Sequence, residues 1–149
     1  MNLLPASLLL PQQTVAAEGA ALRLTALAAE FGPRGVLVHG RSLQRTGLLD
    51  AILDEPPFGM RVRAWCHAGA EPTVDAVDAL RADLKADRPD WVAAVGGGSV
   101  IDLAKAAAGL LDAPQSAAFY QTHNAEIPPA ALPLIAGAPA GLAWAGRAR

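Results

Sequence analysis

Hydrophobic residues along the chain alternate between short apolar runs and segments with a helical period. Apolar side chains spaced three and four residues apart predict helices over Gly19–Phe31, Ser42–Leu53, Thr73–Ala86 and Val100 to about Leu111. The apolar runs between them predict strands over Gly35–His39, Met60–Trp65, Trp91–Val95 and Leu132–Ala136. Strands that alternate with helices through short turns are accommodated most simply by parallel strands with helices on both faces. We therefore expect an α/β fold with a Rossmann-like, doubly wound and mainly parallel sheet.

Composition supports one globular domain and excludes several classes of partner. The chain has 149 residues, of which 52% are hydrophobic and 17% charged, enough apolar material for a packed core. Its 12 Lys and Arg residues against 14 Asp and Glu residues leave a formal net charge of −2. A binder of nucleic acid or of a membrane surface needs a basic patch, so neither partner is expected. Cys66 is the single cysteine, which excludes an intrachain disulfide and a cysteine-based zinc site.

No targeting or membrane-spanning segment is predicted. The first residues lack a basic stretch, and Pro5 and Pro11 bracket their short apolar run. The uncharged stretch from Ile127 to Gly146 has the length of a membrane span, but its four prolines argue against a spanning helix. We expect a soluble, cytoplasmic protein.

The segment from Val95 to Lys105 contains the most informative motif. An apolar strand leads into Gly96, Gly97 and Gly98, and Ser99 is expected as the N-cap of the following helix. Exposed backbone amides and the helix dipole at such a turn favour an anion such as a phosphate. The alternative is a plain strand-to-helix turn, with Asp102 and Lys105 forming only an ion pair three residues apart. The motif is neither the G-x-G-x-x-G fingerprint nor a P-loop.

The run GGGSVIDLAK resembles the GGGSxxDxAK signature of the iron-containing (group III) alcohol dehydrogenases, part of the dehydroquinate synthase-like superfamily. The neighbouring segments agree with it: Glu18-Gly19-Ala20, the run GVLVHGRSLQRTGLLD and Glu71-Pro72-Thr73 are similar to family elements in the same order. The likeness extends over about residues 11 to 136. It implies the N-terminal, nucleotide-binding half of a dehydroquinate synthase-like fold.

The resemblance also implies a set of cofactor-binding residues. The pyrophosphate of NAD or NADP would lie on the glycine turn and Ser99, and Asp102 and Lys105 would face the cofactor and the cleft. Many family members have an Asp after the first parallel strand, where it binds the adenosine ribose. This chain has Gly40 there, followed by Arg41 and Ser42, which favours the 2′-phosphate of NADP, although Arg41 as a solvated loop cation is about as plausible.

The likeness weakens near the end of the chain. A second cofactor-binding stretch of the family, close to IPTTAGTGSE, is replaced by IAGAPAGLAW, and the helical domain that supplies the metal ligands in the family has no counterpart. His39, His67 and His123 lack the spacing of a metal site and are interpreted as structural or solvated. We expect a dinucleotide-binding domain over residues 1–136, a divergent tail over 137–149, no metal site, and a truncated or frame-shifted chain.

The function implied by the resemblance is hydride transfer between a nicotinamide and a small alcohol or aldehyde, assisted by iron or zinc in the complete enzyme. No catalytic residue is assigned, and the chain alone is expected to be inactive. A surface left uncovered without the helical domain would favour self-association into a homo-oligomer. Two alternatives stay open: a non-catalytic nucleotide-binding or oligomerising remnant, and a member of the dehydroquinate synthase or polyol-phosphate branch.

Overall fold

A computed structural model describes residues 13–16, 19–69, 71–129, 132–138 and 142–147. Its strands are β1 (Gln13–Ala16), β2 (Arg34–Gly40), β3 (Arg61–His67), β4 (Trp91–Val95), β5 (Pro133–Gly137) and β6 (Leu142–Arg147). Its helices are α1 (Leu24–Ala28), α2 (Arg41–Arg45), α3 (Leu48–Leu53), α4 (Val74–Asp87), α5 (Gly98–Gly109) and α6 (Ala117–His123). Two short 3-10 turns, Ala20–Arg23 and Ala29–Phe31, flank α1.

The strands form one six-stranded sheet in the order β1-β6-β5-β4-β2-β3. Strands β5, β4, β2 and β3 are parallel, whereas β6 is antiparallel to both β5 and β1. Each parallel connection includes at least one helix, because the chain must return to the other end of the sheet before the next parallel strand begins. The predicted α/β fold with a mainly parallel sheet is confirmed.

The core consists of two apolar layers, one on each face of the sheet. Successive residues of a strand point to opposite faces, so Val36 and Val38 of β2 pack against α4 and α5, whereas Leu37 packs with α1, α2 and α3. Strand β4 is buried along its whole length, from Trp91 to Val95. Helices on both faces make the sheet doubly wound, as predicted. Edge strand β3 is mostly exposed or half-buried, which agrees with the alternating pattern of its sequence.

The predicted helix over Ser42–Leu53 is wrong in one respect, because the structure divides it into α2 and α3. Gly47 has a left-handed backbone with φ of 75°, which ends a helical run. The Thr46 hydroxyl donates to the carbonyl oxygens of Ser42 and Leu43, at 3.0 and 3.2 Å, and so satisfies the end of α2. The predicted helix over Gly19–Phe31 is likewise α-helical only in its middle, with a 3-10 turn on each side.

Helix α6 is absent from the elements that the sequence predicts. In the structure His123 is the last residue of α6. The helix begins at a Ser116 cap, whose hydroxyl accepts from the Phe119 amide. The Asp78 carboxylate of α4 accepts from the Ala117 amide at 3.0 Å. A seven-residue helix is too short to be stable alone, so this contact with α4 accounts for an element that periodicity missed.

Strands β1 and β6 are also additions to the predicted elements, and β6 lies beyond the boundary predicted at residue 136. Sequence features that rest on Pro5, Pro11, Glu18 and Pro139 lie outside the described residues. Within the described ranges, no helix has the length and apolarity needed to cross a membrane.

Candidate functional site

The direction of the strand connections changes between β2 and β4, which lie side by side in the sheet. From β2 the chain passes through α2 and α3 to β3 on one side, whereas from β4 it passes through α5 and α6 to β5 on the other. The two connections therefore diverge and leave a crevice above the carboxyl ends of β2 and β4. Ligands of open α/β sheets bind at such a switch point. His39 and Val95 are register partners there, which places Gly40 and Gly96 next to each other.

The three glycines after β4 have two different structural roles. A Cβ on Gly96 would lie 2.9 Å from Val100 Cγ2, so close packing under the turn requires this glycine. Gly96 is also buried, and its amide donates to the Gly137 carbonyl at 3.1 Å. Gly97 and Gly98 are exposed, and a Cβ on either would have no atom within 4 Å. Packing within the described chain does not explain these two glycines.

The first backbone amides of helix α5 have no hydrogen-bond acceptor within the helix. Its N-cap is Gly97, which has an extended backbone and no side chain to cap the first turn. The Val100 and Ile101 amides donate to the Gly97 carbonyl, at 3.1 and 3.2 Å. The amides of Gly98 and Ser99, at the first two helical positions, have no partner within the helix. The twelve-residue helix adds partial positive charge at this end, so an anion is favoured there.

The expectation that Ser99 is the N-cap is wrong. The helix starts one residue earlier, at Gly98, which makes Ser99 its second residue and half-buried. The glycine at position 97 can adopt the extended cap conformation and leaves the cap without a side chain. The Ser99 hydroxyl is thus next to the open amides and not bonded to one of them.

Gly40, Arg41 and Ser42 form the second turn at the crevice. Gly40 ends β2, and a Cβ on it would lie 3.4 Å from Val100 Cγ2, the same side chain that lies under Gly96. The two glycine turns therefore meet over Val100. Arg41 and Ser42 are exposed at the start of α2. Among the described residues Arg41 forms no ion pair.

Asp102 and Lys105 lie on the exposed side of α5, opposite the buried Leu103, Ala104 and Ala107. Their spacing of three residues allows an ion pair, but none forms between them within the described part of the chain. Both charges are therefore available for contacts outside the described chain.

The histidines do not assemble a metal site. His39 is 3% exposed with Nδ1 3.0 Å from the Gly40 carbonyl oxygen, and His67 is 7% exposed at the end of β3. His123 is exposed on α6 and stacks on Phe119. Among the described residues no group of three His, Cys, Asp or Glu side chains converges as a metal site would require. These side chains do not fit the iron or zinc that the family resemblance implies.

At the amino edge of the sheet, where the parallel strands begin, polar groups are paired with one another. The Asp90 carboxylate accepts from the Arg34 side chain at 3.1 Å and from the Arg34 amide at 2.9 Å, and these bonds lower the pKa of Asp90. The Trp91 indole donates to the Gly32 carbonyl at 3.0 Å. A groove of about 650 Å³ lies at this edge and is lined by leucines, prolines and charged residues of both signs. It lies far from the sequence motif, at the ends of α4 and α5 where the helix dipoles disfavour anions.

Comparison with known proteins shows what the chain is similar to. The family model described as iron-containing alcohol dehydrogenase matches residues 11–143. A probable NADH-dependent butanol dehydrogenase of Bacillus subtilis is 33% identical over 100 residues, covering 66% of this chain and 26% of the relative. An alcohol dehydrogenase of Thermococcus barophilus is 31% identical over 83 residues, covering 55% of this chain and 22% of the relative. The chain thus spans about a quarter of the length of these relatives.

Solved structures agree with this comparison. Sulfoacetaldehyde reductase from Bifidobacterium kashiwanohense, in complex with NAD+, superposes with a TM-score of 0.71 and 26% identity. The match covers 80% of this chain and 32% of the reductase. An NADH-dependent butanol dehydrogenase from Thermotoga maritima has a TM-score of 0.72 at 21% identity, over 87% of this chain and 33% of that structure, which supports the fold.

Proposed function

The chain belongs to the iron-containing alcohol dehydrogenase family, and from this premise we propose that its β2–β4 crevice binds a nicotinamide dinucleotide. The observation that carries the proposal is the pair Gly97 and Gly98, whose missing side chains leave open space that no described residue fills. In the proposed complex the pyrophosphate lies over these glycines and accepts hydrogen bonds from the amides of Gly98 and Ser99. The Ser99 hydroxyl is a further donor.

The second turn selects between NADP and NAD in this proposal. An Asp at position 40 would accept from the ribose hydroxyls and repel a 2′-phosphate, but this chain has Gly40 with the exposed cation Arg41 beside it. Arg41 is exposed and forms no ion pair among the described residues, which supports a role for its guanidinium in binding the phosphate. Ser42 supplies a hydroxyl at the same turn. NADP is therefore the favoured dinucleotide.

Asp102 and Lys105 have weaker roles in the proposed complex. Both lie on the exposed side of α5, further along the helix than the open amides at its start. Lys105 adds positive charge near the phosphates, and Asp102 is available to a ribose or amide group of the dinucleotide. Neither side chain is placed in a catalytic step.

The proposed activity of the whole protein is that of the family: hydride transfer between the nicotinamide and a small alcohol or aldehyde. A bound divalent metal would polarise the substrate oxygen in that reaction. The described residues contain no group that fits such a metal, so no step of the reaction is assigned to them. Their proposed part is to bind and orient the dinucleotide.

The experiment is a titration of the purified chain with NADPH and with NADH, followed by nicotinamide fluorescence and calorimetry. We expect saturable binding of both, tighter for NADPH. Ser99→Glu places a carboxylate against the pyrophosphate and should weaken binding about 100-fold or more, since charge repulsion is added to a lost hydrogen bond.

The matched control is Ala118→Glu, which adds the same charge at an exposed position of α6, away from the crevice. It should leave both dissociation constants unchanged. A folded wild-type chain that binds neither dinucleotide would reject the proposal and favour a remnant without nucleotide binding.

A further inference from the structure

His39 is a buried polar side chain at the carboxyl edge of the sheet, and it has no role in the proposal so far. It directly precedes Gly40, the end of β2, and is the register partner of Val95, the residue before Gly96. The side chain is 3% exposed. Because alternate residues of a strand point to the same face, the imidazole lies on the face that Leu37 shares with α2 and α3. A polar ring is thus buried within one residue of both turns of the crevice.

The imidazole of His39 is bonded to the backbone of the second turn. Its Nδ1 atom lies 3.0 Å from the Gly40 carbonyl oxygen. A carbonyl oxygen can only accept, so the hydrogen of this bond is on Nδ1 in either charge state of the ring. In the neutral ring this bond fixes the tautomer and leaves Nε2 without a hydrogen. The ring therefore holds the peptide group that joins Gly40 to Arg41.

The Gly40 carbonyl is also the start of helix α2. Gly40 is the N-cap of α2, with an extended backbone and no side chain to cap the helix. The carbonyl of an N-cap residue accepts the first bond of its helix, and the second lone pair of the oxygen is available to His39. A five-residue helix is marginal by itself, so its placement depends on contacts from outside it. Burial of Leu43 fixes one side of α2, and the bond from His39 fixes its start.

We propose that His39 is a positioning residue for cofactor preference: by donating to the Gly40 carbonyl, it fixes the peptide that carries Arg41 and holds the guanidinium where it meets the 2′-phosphate of NADP. This inference rests on the proposed function, in which Arg41 binds that phosphate. The buried ring acts through the backbone and does not itself touch the dinucleotide. Less order has to be gained on binding, and only a dinucleotide with a 2′-phosphate benefits.

The test measures the dissociation constants of NADPH and NADH in two variants of His39. His39→Leu fills a similar volume without a donor. It should weaken NADPH binding about three- to tenfold, the effect of one lost hydrogen bond, and keep NADH binding within about twofold of wild type. His39→Asn places an amide nitrogen near the position of Nδ1 and should keep the wild-type preference. The matched control is His123→Leu, the same substitution at an exposed position of α6, which should change neither dissociation constant.

A merely structural role predicts that cofactor preference follows stability, and we expect the two to separate. Asn is a poor strand residue and would bury its amide oxygen, so His39→Asn should melt at a lower temperature than His39→Leu. The less stable Asn variant should nevertheless keep the NADPH preference that the Leu variant loses. A double variant tests the route through Arg41: in an Arg41→Ala background, His39→Leu should not weaken NADPH binding further.

Three outcomes would overturn the inference while leaving dinucleotide binding intact: an unchanged preference in folded His39→Leu, equal losses in the Leu and Asn variants, or additive losses in the double variant. If the wild-type chain binds neither dinucleotide, the proposed function fails and the positioning role with it. Nitrogen-15 NMR of labelled histidine then decides the bond to Gly40 alone, with the His39 signals assigned by their loss in His39→Leu. Above about pH 8, where imidazole is neutral, a hydrogen on Nδ1 supports the bond and a hydrogen on Nε2 rejects it.

Discussion

Glycine and arginine occur both where the parallel strands begin, at the amino edge of the sheet, and where they end, at the carboxyl edge, but they serve different purposes at the two edges. At the amino edge, the Asp90 side chain packs against Gly32 and the Trp91 ring packs against Gly35, so neither glycine has room for a side chain. The Arg34 cation there forms an ion pair with Asp90. At the carboxyl edge, Gly97 and Gly98 have open space around them, and the Arg41 cation has no ion-pair partner among the described residues. Groups satisfied within the chain stabilise the fold, whereas groups left open are available to a ligand.

The largest expected effect is at the closed edge. A methyl group on Gly35 would overlap the indole ring of Trp91, which is fully buried and cannot move aside. Gly35→Ala should therefore lower the free energy of unfolding by about 3 kcal/mol or more, or prevent folding altogether. Denaturant unfolding followed by tryptophan fluorescence measures it. A loss below about 1 kcal/mol would show that the amino edge can yield, and the contrast between the edges would disappear.

Gly97→Asp should separate stability from binding at the open edge. Position 97 is the N-cap of α5 with an extended backbone, where Asp is a slightly better cap than Gly, so the variant should be roughly a few tenths of a kcal/mol more stable than wild type. The same carboxylate would bond the open amides and repel phosphate, so NADPH binding should fall about 100-fold or more. Thermal unfolding measures the stability of the variant, and fluorescence titration of the same preparation measures its affinity for NADPH. Loss of stability would mean that Gly97 is a structural glycine like Gly35.

Cofactor preference should respond to the second turn at the open edge. Arg41→Ala should weaken NADPH binding about tenfold and leave NADH binding nearly unchanged, since only NADPH has the 2′-phosphate. Gly40→Asp should reverse the preference, because a carboxylate there would accept from the ribose hydroxyls of NADH and repel the 2′-phosphate of NADPH. The new side chain can be accommodated, since a Cβ at position 40 would lie 3.4 Å from Val100 Cγ2. Calorimetric titration with both dinucleotides gives the ratio. Equal losses for both dinucleotides in Arg41→Ala would assign Arg41 to the pyrophosphate instead.

The smallest effect is expected from the Asp90 ion pair, on the pH dependence of stability. The pKa of Asp90 is lowered in the folded chain by the hydrogen bonds from Arg34, so folding stabilises the ionised carboxylate. This contribution is present above the ordinary carboxyl pKa of about 4 and is lost as the pH falls through the lower folded value. Asp90→Asn should reduce stability by about 1 kcal/mol at neutral pH and by progressively less below about pH 4. Parallel curves for both proteins across that range would exclude the pair as the cause.

Much of the fold was accessible from the sequence. The strand over Trp91–Val95 has its predicted limits, and α4 begins and ends within a residue of the prediction, because these segments are long or strongly patterned. The division between α2 and α3 and the existence of α6 were not predicted. The division depends on the left-handed backbone of Gly47 together with the Thr46 hydroxyl, and α6 depends on the Asp78 carboxylate; both side chains bond to backbone groups. Apolar periodicity contains no record of such bonds.

The sequence by itself determined the alternation of strands and helices, the position of the glycine turn and the family. It could not separate Gly96, which packing against Val100 requires, from Gly97 and Gly98, which packing leaves free. Only the tertiary structure made that distinction, and it also placed Gly40 beside the glycine turn. The physical reason is the separation along the chain over which each effect acts. Propensity and periodicity act within a few residues, whereas strand order and register bring together residues that lie tens of positions apart.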